Sequence, residues 1–194
     1  MSQPEISEIS VATETEPKKR KNGLPSLVRD TLIALLLGLL LFVAFQFFFQ
    51  FYRVDGTSMN DTLAHDQRML VLKTSKNPSR GDVIIFHTPL ASGVDDIYVK
   101  RVIGLPGEWV AIKNGIVYIN DKALHEEYAI IDPNTNEDAV LVGEKEYFVL
   151  GDNRSVSYDS HIFGCIPQES IIGKALFVIW PISEWGNKIN YRFS

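Results

Sequence analysis

Trp109-Val110-Ala111-Ile112-Lys113-Asn114-Gly115-Ile116-Val117-Tyr118-Ile119-Asn120 is the stretch on which the fold turns. Two β-branched and aromatic runs flank Asn114-Gly115, and Asn-Gly supplies the two positive-φ positions of a type I′ turn. The stretch therefore predicts a β-hairpin. Working outward, Arg68-Met69-Leu70-Val71-Leu72-Lys73 and Asp82-Val83-Ile84-Ile85-Phe86 read as short strands between turns. Glu146-Tyr147-Phe148-Val149-Leu150 and the run from Ile172 to Trp180 read the same way. Between about 122 and 144 the pattern weakens, and Asp132-Pro133-Asn134 reads as a loop. The expectation is a mainly β fold of antiparallel sheets, with little helix outside one N-terminal segment.

That segment is the longest uncharged apolar run in the chain, from Thr31 to Tyr52. At about 1.5 Å per residue, roughly 22 residues of helix span about 33 Å, against a hydrocarbon core of about 30 Å. A buried soluble helix would be shorter and would show a polar face; after Thr31 the run holds only Gln46 and Gln50 as clearly polar members. A cleaved signal peptide would have an h-region of about 7–15 residues followed by small residues. This run instead leaves through Phe47-Phe48-Phe49. The reading is an uncleaved transmembrane signal-anchor helix over residues 24–52.

Charges on either side give its orientation. Lys18, Lys19, Arg20, Lys21 and Arg29 precede the run, and only the isolated Arg53 and Arg68 follow it closely. The positive-inside rule then puts the N-terminus in the cytoplasm and residues 53–194 outside it. Residues 1–23 carry too little apolar content to fold and are expected to be a disordered cytoplasmic tail.

The segment 51–194 is the size of one domain. It holds 14 Lys and Arg against 19 Asp and Glu, which argues against a nucleic-acid surface. Cys165 is the only cysteine, so no intrachain disulfide forms. Between Gly164 and Ile166 it reads as a small buried apolar residue rather than a nucleophile. Of the four histidines, none stands in a metal-ligand spacing, so no metal or cofactor is expected.

Ser58 lies a few residues past the apolar run, in Val54-Asp55-Gly56-Thr57-Ser58-Met59. A reactive hydroxyl needs a base within hydrogen-bond reach. Asp159-Ser160-His161 leaves a Ser–His–Asp arrangement open. Lys100 is the other candidate. Strand alternation puts Tyr98, Lys100 and Val102 on one face and Val99, Arg101 and Ile103 on the other, so either Lys100 or Arg101 can face an apolar environment. An ordinary lysine is neutral in only about one molecule in 2,500 at pH 7, but burial lowers its pKa, whereas arginine does not lose its proton.

Four ordered motifs resemble those of the bacterial type I signal peptidases. They are Gly56-Thr57-Ser58-Met59-Asn60-Asp61-Thr62-Leu63, then Gly81 to Phe86, then Tyr98 to Glu108, then Gly151-Asp152-Asn153-Arg154 with Ser157, Asp159-Ser160 and Gly164. The single N-terminal anchor is similar to the Gram-positive members. The resemblance implies a signal peptidase/repressor-protease-like fold and a Ser/Lys endopeptidase of the bacterial cell membrane. Its partners would be the lipid bilayer and secretory preproteins, cut after Ala-x-Ala. It further implies Ser58 as nucleophile and Lys100 as general base. Ser157 would hydrogen-bond the lysine amine, and Asp159 would act as scaffold. The Ser58 N–H would hold the oxyanion, with Gly56 where some relatives carry a serine as second donor. Met59, Leu63, Tyr98 and Val99 would line shallow pockets for small side chains.

Two positions depart from the family pattern. Asp61 stands where the family usually has proline, and as a good N-cap it is expected to cap a helical turn. His161 stands where the family usually has an arginine paired with Asp159. Two other functions fit the residues less well: a Ser/Lys protease of another membrane-bound substrate, and an inactive paralogue serving as an anchored binding module. Intact Ser58, Lys100 and Ser157 argue against the second.

Overall fold

The computed structural model of the chain describes residues 25–88, 96–186 and 189–193. The expected disordered tail, residues 1–23, lies outside these. The chain divides into two compact units, one ending at Leu41 and one running from Phe42 to Ser194.

Helix α1 (Ser26–Phe48) begins in the first unit. Its 23 residues give a length of about 34 Å, enough to cross a bilayer. None of its side chains is buried. An apolar surface of that extent is stable only against lipid or another protein. The helix stops four residues short of the expected end at 52. Phe49–Arg53 is instead strand β1, paired antiparallel with β2 (Arg68–Leu72) in register from Phe49↔Leu72 to Arg53↔Arg68. Pairing across the sheet satisfies these backbone groups as well as a further helical turn would, and it fixes the path of the chain toward Ser58.

The second unit is built on two antiparallel sheets. The larger contains β1, β2, β3 (Val83–His87), β4 (Ile97–Gly104), β9 (Glu146–Leu150), β10 (Ile166–Pro167) and β11 (Ile171–Trp180). Its strand order is β1-β2-β11-β3-β4-β9-β10. The smaller has the order β7-β6-β5-β8 and contains β5 (Trp109–Lys113), β6 (Ile116–Ile119), β7 (Lys122–Ala123) and β8 (Glu137–Leu141).

The hairpin forms as its sequence requires: Lys113 faces Ile116, with Asn114 at φ 52° and Gly115 at φ 78°. Sequence periodicity did not foresee β1, β7 or β10 either, and the longest strand it overlooked in the stretch from 122 to 144 is β8. Glu137 and Asp138 open it, and its side chains are mostly solvated because it lies at an edge; an edge strand needs no apolar alternation.

Two apolar clusters seat the site. One joins Met59 and Leu63, from the segment after β1, to Met69, Val71, Val83, Ile85 and Val178. The other joins Ile103, Phe148 and Leu150 of the large sheet to Val110, Ile112 and Val117 of the small one. Gly104 permits that junction, since a Cβ there would stand 2.5 Å from Val110 Cγ2 and 2.9 Å from Phe148 Cβ.

Candidate active site

Ser58 is carried on the turn that follows β1. Val54 closes the base of the turn, donating to Gln67 O at 2.8 Å and accepting from Asp66 N at 3.0 Å. Gly56 then takes φ +93°, a conformation that disfavours a side chain. Beyond the serine, the Met59 side chain is buried and its carbonyl accepts from Leu63 N at 2.8 Å. Asn153 N donates to Ser58 O at 3.0 Å, so the turn is tied to the segment after β9. Among the described residues the Ser58 N–H makes no hydrogen bond.

Lys100 sits mid-strand in β4, opposite Ile84 of β3. It is 4% exposed, and its Nζ lies 2.7 Å from Ser58 Oγ. Burial pulls the amine down to about 8, while the charges of Asp159 and Asp152 partly oppose that fall. Burial shifts the balance toward the neutral amine, which becomes the major form above about pH 8; the ammonium donates to Ser58 Oγ, and a neutral amine has the lone pair to accept its O–H.

Alternation left open which of Lys100 and Arg101 would be enclosed; the structure encloses both. Arg101 is 1% exposed and donates to Asp152 from Nε at 2.8 Å and from Nη2 at 2.6 Å. Its Nη1 donates to the carbonyls of Gly81 and Ile189, and its guanidinium lies 4.1 Å from the Tyr128 ring centre. A second buried pair, Arg154 with Glu126 at 2.6 Å, continues the network. Arg154 also donates from Nε to Gly151 O at 3.0 Å. Glu126 and Tyr128 fell in the stretch where sequence pattern was weakest, and nothing in their local sequence signals burial.

Asp159 is fully buried, accepting from Gly151 N at 2.8 Å and facing His161 Nδ1 at 2.6 Å. It caps the short helix α2 (Ser160–Phe163). The hydrogen bond to Asp159 raises the His161 pKa against the opposing effect of burial. The His161 ring thus serves Asp159, and Ser58 Oγ has Lys100 as its partner. Burial, with Glu146 adding to it, lifts the Cys165 thiol to about 11, which keeps it protonated and unreactive.

Three expectations change. The Ser157 Oγ is buried without a hydrogen-bond partner among the described residues, so it does not hold the Lys100 amine. The hydroxyl is instead packed beside Gly151, in the space that a Cβ there would need. Leu63 is fully buried in the core and does not line the groove. Asp61 accepts no hydrogen bond among the described residues and caps nothing. Of the expected lining residues, Met59, Tyr98 and Val99 border an open groove of about 410 Å³ that also reaches Ser58, Gly56 and Lys100. Tyr52, Ile97, Val156 and Tyr158 complete its apolar wall; Val156 and Tyr158 come from the segment carrying Ser157, which only the tertiary fold brings opposite β4.

The site thus sets a serine hydroxyl against a buried lysine amine at the edge of an open, partly apolar groove. The family model described as "Signal peptidase, peptidase S26" matches residues 26–180. The chain is similar to "Probable signal peptidase I-1" of Synechocystis sp., with 39% identity over 86% of this chain and 89% of that one. It is similar to "Signal peptidase I" of Leptolyngbya laminosa, with 38% identity over 79% of this chain and 77% of that one. It also resembles "Signal peptidase IB" of Staphylococcus aureus, with 35% identity over 78% and 88%. The chain belongs to the signal peptidase, peptidase S26, family.

Proposed function

We propose that this signal peptidase is anchored by α1 and removes N-terminal signal peptides from exported preproteins by a Ser58/Lys100 dyad. The 2.7 Å contact between Ser58 Oγ and the buried Lys100 Nζ carries the reading. The neutral amine takes the serine proton as Oγ adds to the scissile carbonyl. The oxyanion forms beside the Ser58 N–H, and one such donor is worth about 2.7–4 kcal/mol of barrier. The Lys100 ammonium then passes its proton to the departing amine, leaving the acyl chain on Oγ. Lys100, neutral again, deprotonates the water that releases the acyl chain. Gly56 and Asp159 support the turn and the segment that faces the lysine strand.

The proposed specificity is for Ala-x-Ala sites, and the apolar lining of the groove supports it. Met59, Tyr98 and Val99 border the groove beside Ser58 and would seat small side chains before the cut, larger ones being refused by overlap. Helix α1 (Ser26–Phe48) anchors the chain, with the residues before it on the cytoplasmic side of the bacterial cell membrane and those after it beyond the membrane. The basic cluster at Lys18–Lys21 supports that orientation. An anchored enzyme and a substrate tethered by its own signal peptide meet at one membrane surface.

The test uses the full chain in detergent and a preprotein with an Ala-x-Ala site. Ser58→Ala and Lys100→Ala, made separately, should each lower cleavage by more than about a thousandfold with the fold intact. Near-normal cleavage by Lys100→Ala would refute the dyad.

A further inference from the structure

Between Val54 and the nucleophile, Gly56 is the loosely held point of the turn. Among the described residues, a Cβ built on Gly56 would meet nothing within 4 Å. Among the described residues the Gly56 backbone itself makes one hydrogen bond, from its N–H to His65 Nδ1 at 3.1 Å, while Thr57 O accepts from Asn60 N at 3.1 Å and from Asn153 Nδ2 at 3.4 Å. Ser58 is two residues further on, and Gly56 and Ser58 border the same groove.

The surroundings of the ring select one tautomer. Accepting from Gly56 requires an unprotonated Nδ1, which puts the proton on Nε2. Nε2 faces Asp66 Oδ1 at 3.3 Å, an acceptor for that proton. Asp66 is itself held by Arg53, whose Nε donates to Oδ1 at 2.8 Å. A chain of contacts thus runs from β1 through Asp66 and the imidazole to Gly56. The second carboxylate, Asp55 Oδ1, lies 3.4 Å from Nδ1 and competes with Gly56 for that nitrogen only when the nitrogen carries a proton.

We infer that His65 is a positioning residue for the nucleophile: its Nδ1, as acceptor, fixes the Gly56 N–H and with it the approach of Ser58 to Lys100. The inference rests on the dyad reading above. Its reason is geometric. Displacing a reacting atom by about 1 Å costs on the order of a hundredfold in rate, and Gly56 gives the turn the freedom to move by that much. The His65 side chain is half exposed, so removing it opens no core cavity.

Three variants of the full chain in detergent test this: His65→Ala, His65→Asn and, in the same assay, Lys100→Ala. Asparagine places Oδ1 where the ring places Nδ1, and so keeps an acceptor for Gly56. His65→Ala should lower kcat at least about tenfold with KM nearly unchanged and the unfolding temperature preserved. His65→Asn should restore kcat to within about threefold of the parent. Two outcomes overturn the inference: His65→Ala with parental kcat, or His65→Asn as slow as His65→Ala. Lys100→Ala separates the two readings. If it is inactive while His65→Ala is unimpaired, positioning fails alone; if it is active, the dyad itself fails.

Discussion

Arg101 and Asp152 form a two-pronged ion pair, 2.8 and 2.6 Å, in which neither side chain is more than 1% exposed. Asp152 also adjoins Asn153, whose N–H holds the Ser58 carbonyl. The pair therefore joins the strand that carries Lys100 to the segment that fixes Ser58. Removing one partner strands a buried charge, which typically costs about 3–5 kcal/mol. Asp152→Ala should lose stability on that scale in denaturant unfolding. A loss below about 1 kcal/mol would show that the pair is not enclosed.

Activity should depend on the protonation of Lys100. The amine is held down to about 8 by burial and acts as base only when neutral. kcat/KM for a preprotein should therefore rise as pH climbs through about 8, then level off. Stability follows the same residue. Between about 8 and the ordinary value of 10.5, the unfolded chain binds a proton at this site that the folded chain does not. Its contribution therefore makes stability rise with pH across that window. Lys100→Met should abolish cleavage and flatten this rise, read as the unfolding temperature against pH.

His161 should act in the opposite sense. Its hydrogen bond to Asp159 raises its folded pKa, so its stabilisation is full below the ordinary imidazole range. It is lost as pH rises through the raised value. Comparing His161→Gln with the parent from acid to alkaline pH should show the largest loss of unfolding temperature at the acid end. A difference that grows with pH would contradict the assignment.

Gly151 is required by space rather than by φ. A Cβ there would come within 2.2 Å of Ser157 Oγ and 2.6 Å of Ser58 O. Gly151→Ala should therefore displace the nucleophile turn and lower kcat more than it lowers KM. Unaltered kinetics would mean that the turn yields freely.

Ser157 supplies a contrasting case. Its buried hydroxyl has no partner among the described residues, and an unsatisfied buried polar group costs about 1–3 kcal/mol. Ser157→Ala should leave the unfolding temperature unchanged or raise it in a thermal melt. A fall of several degrees would reveal a bond to the hydroxyl.

Local chemistry by itself determined the apolar span, the Asn114-Gly115 hairpin and the strand that carries Lys100, because each depends on neighbours within a few residues. The ordered motifs further pointed to Ser58 and Lys100. What local pattern cannot hold is distance across the sheet. Ser58 and Lys100 are 42 residues apart in the chain, and they meet because β4 is covered on both faces. Alternation therefore could not choose between Lys100 and Arg101: both are enclosed, Lys100 with its amine pulled down by burial and Arg101 paired with Asp152. The ending of α1 at Phe48, the burial of Leu63, the isolation of the Ser157 hydroxyl and the seating of His65 on Gly56 were likewise decided by tertiary pairing. Each is set by which groups the sheet register and the packed core bring together, and short-range sequence pattern carries no record of that.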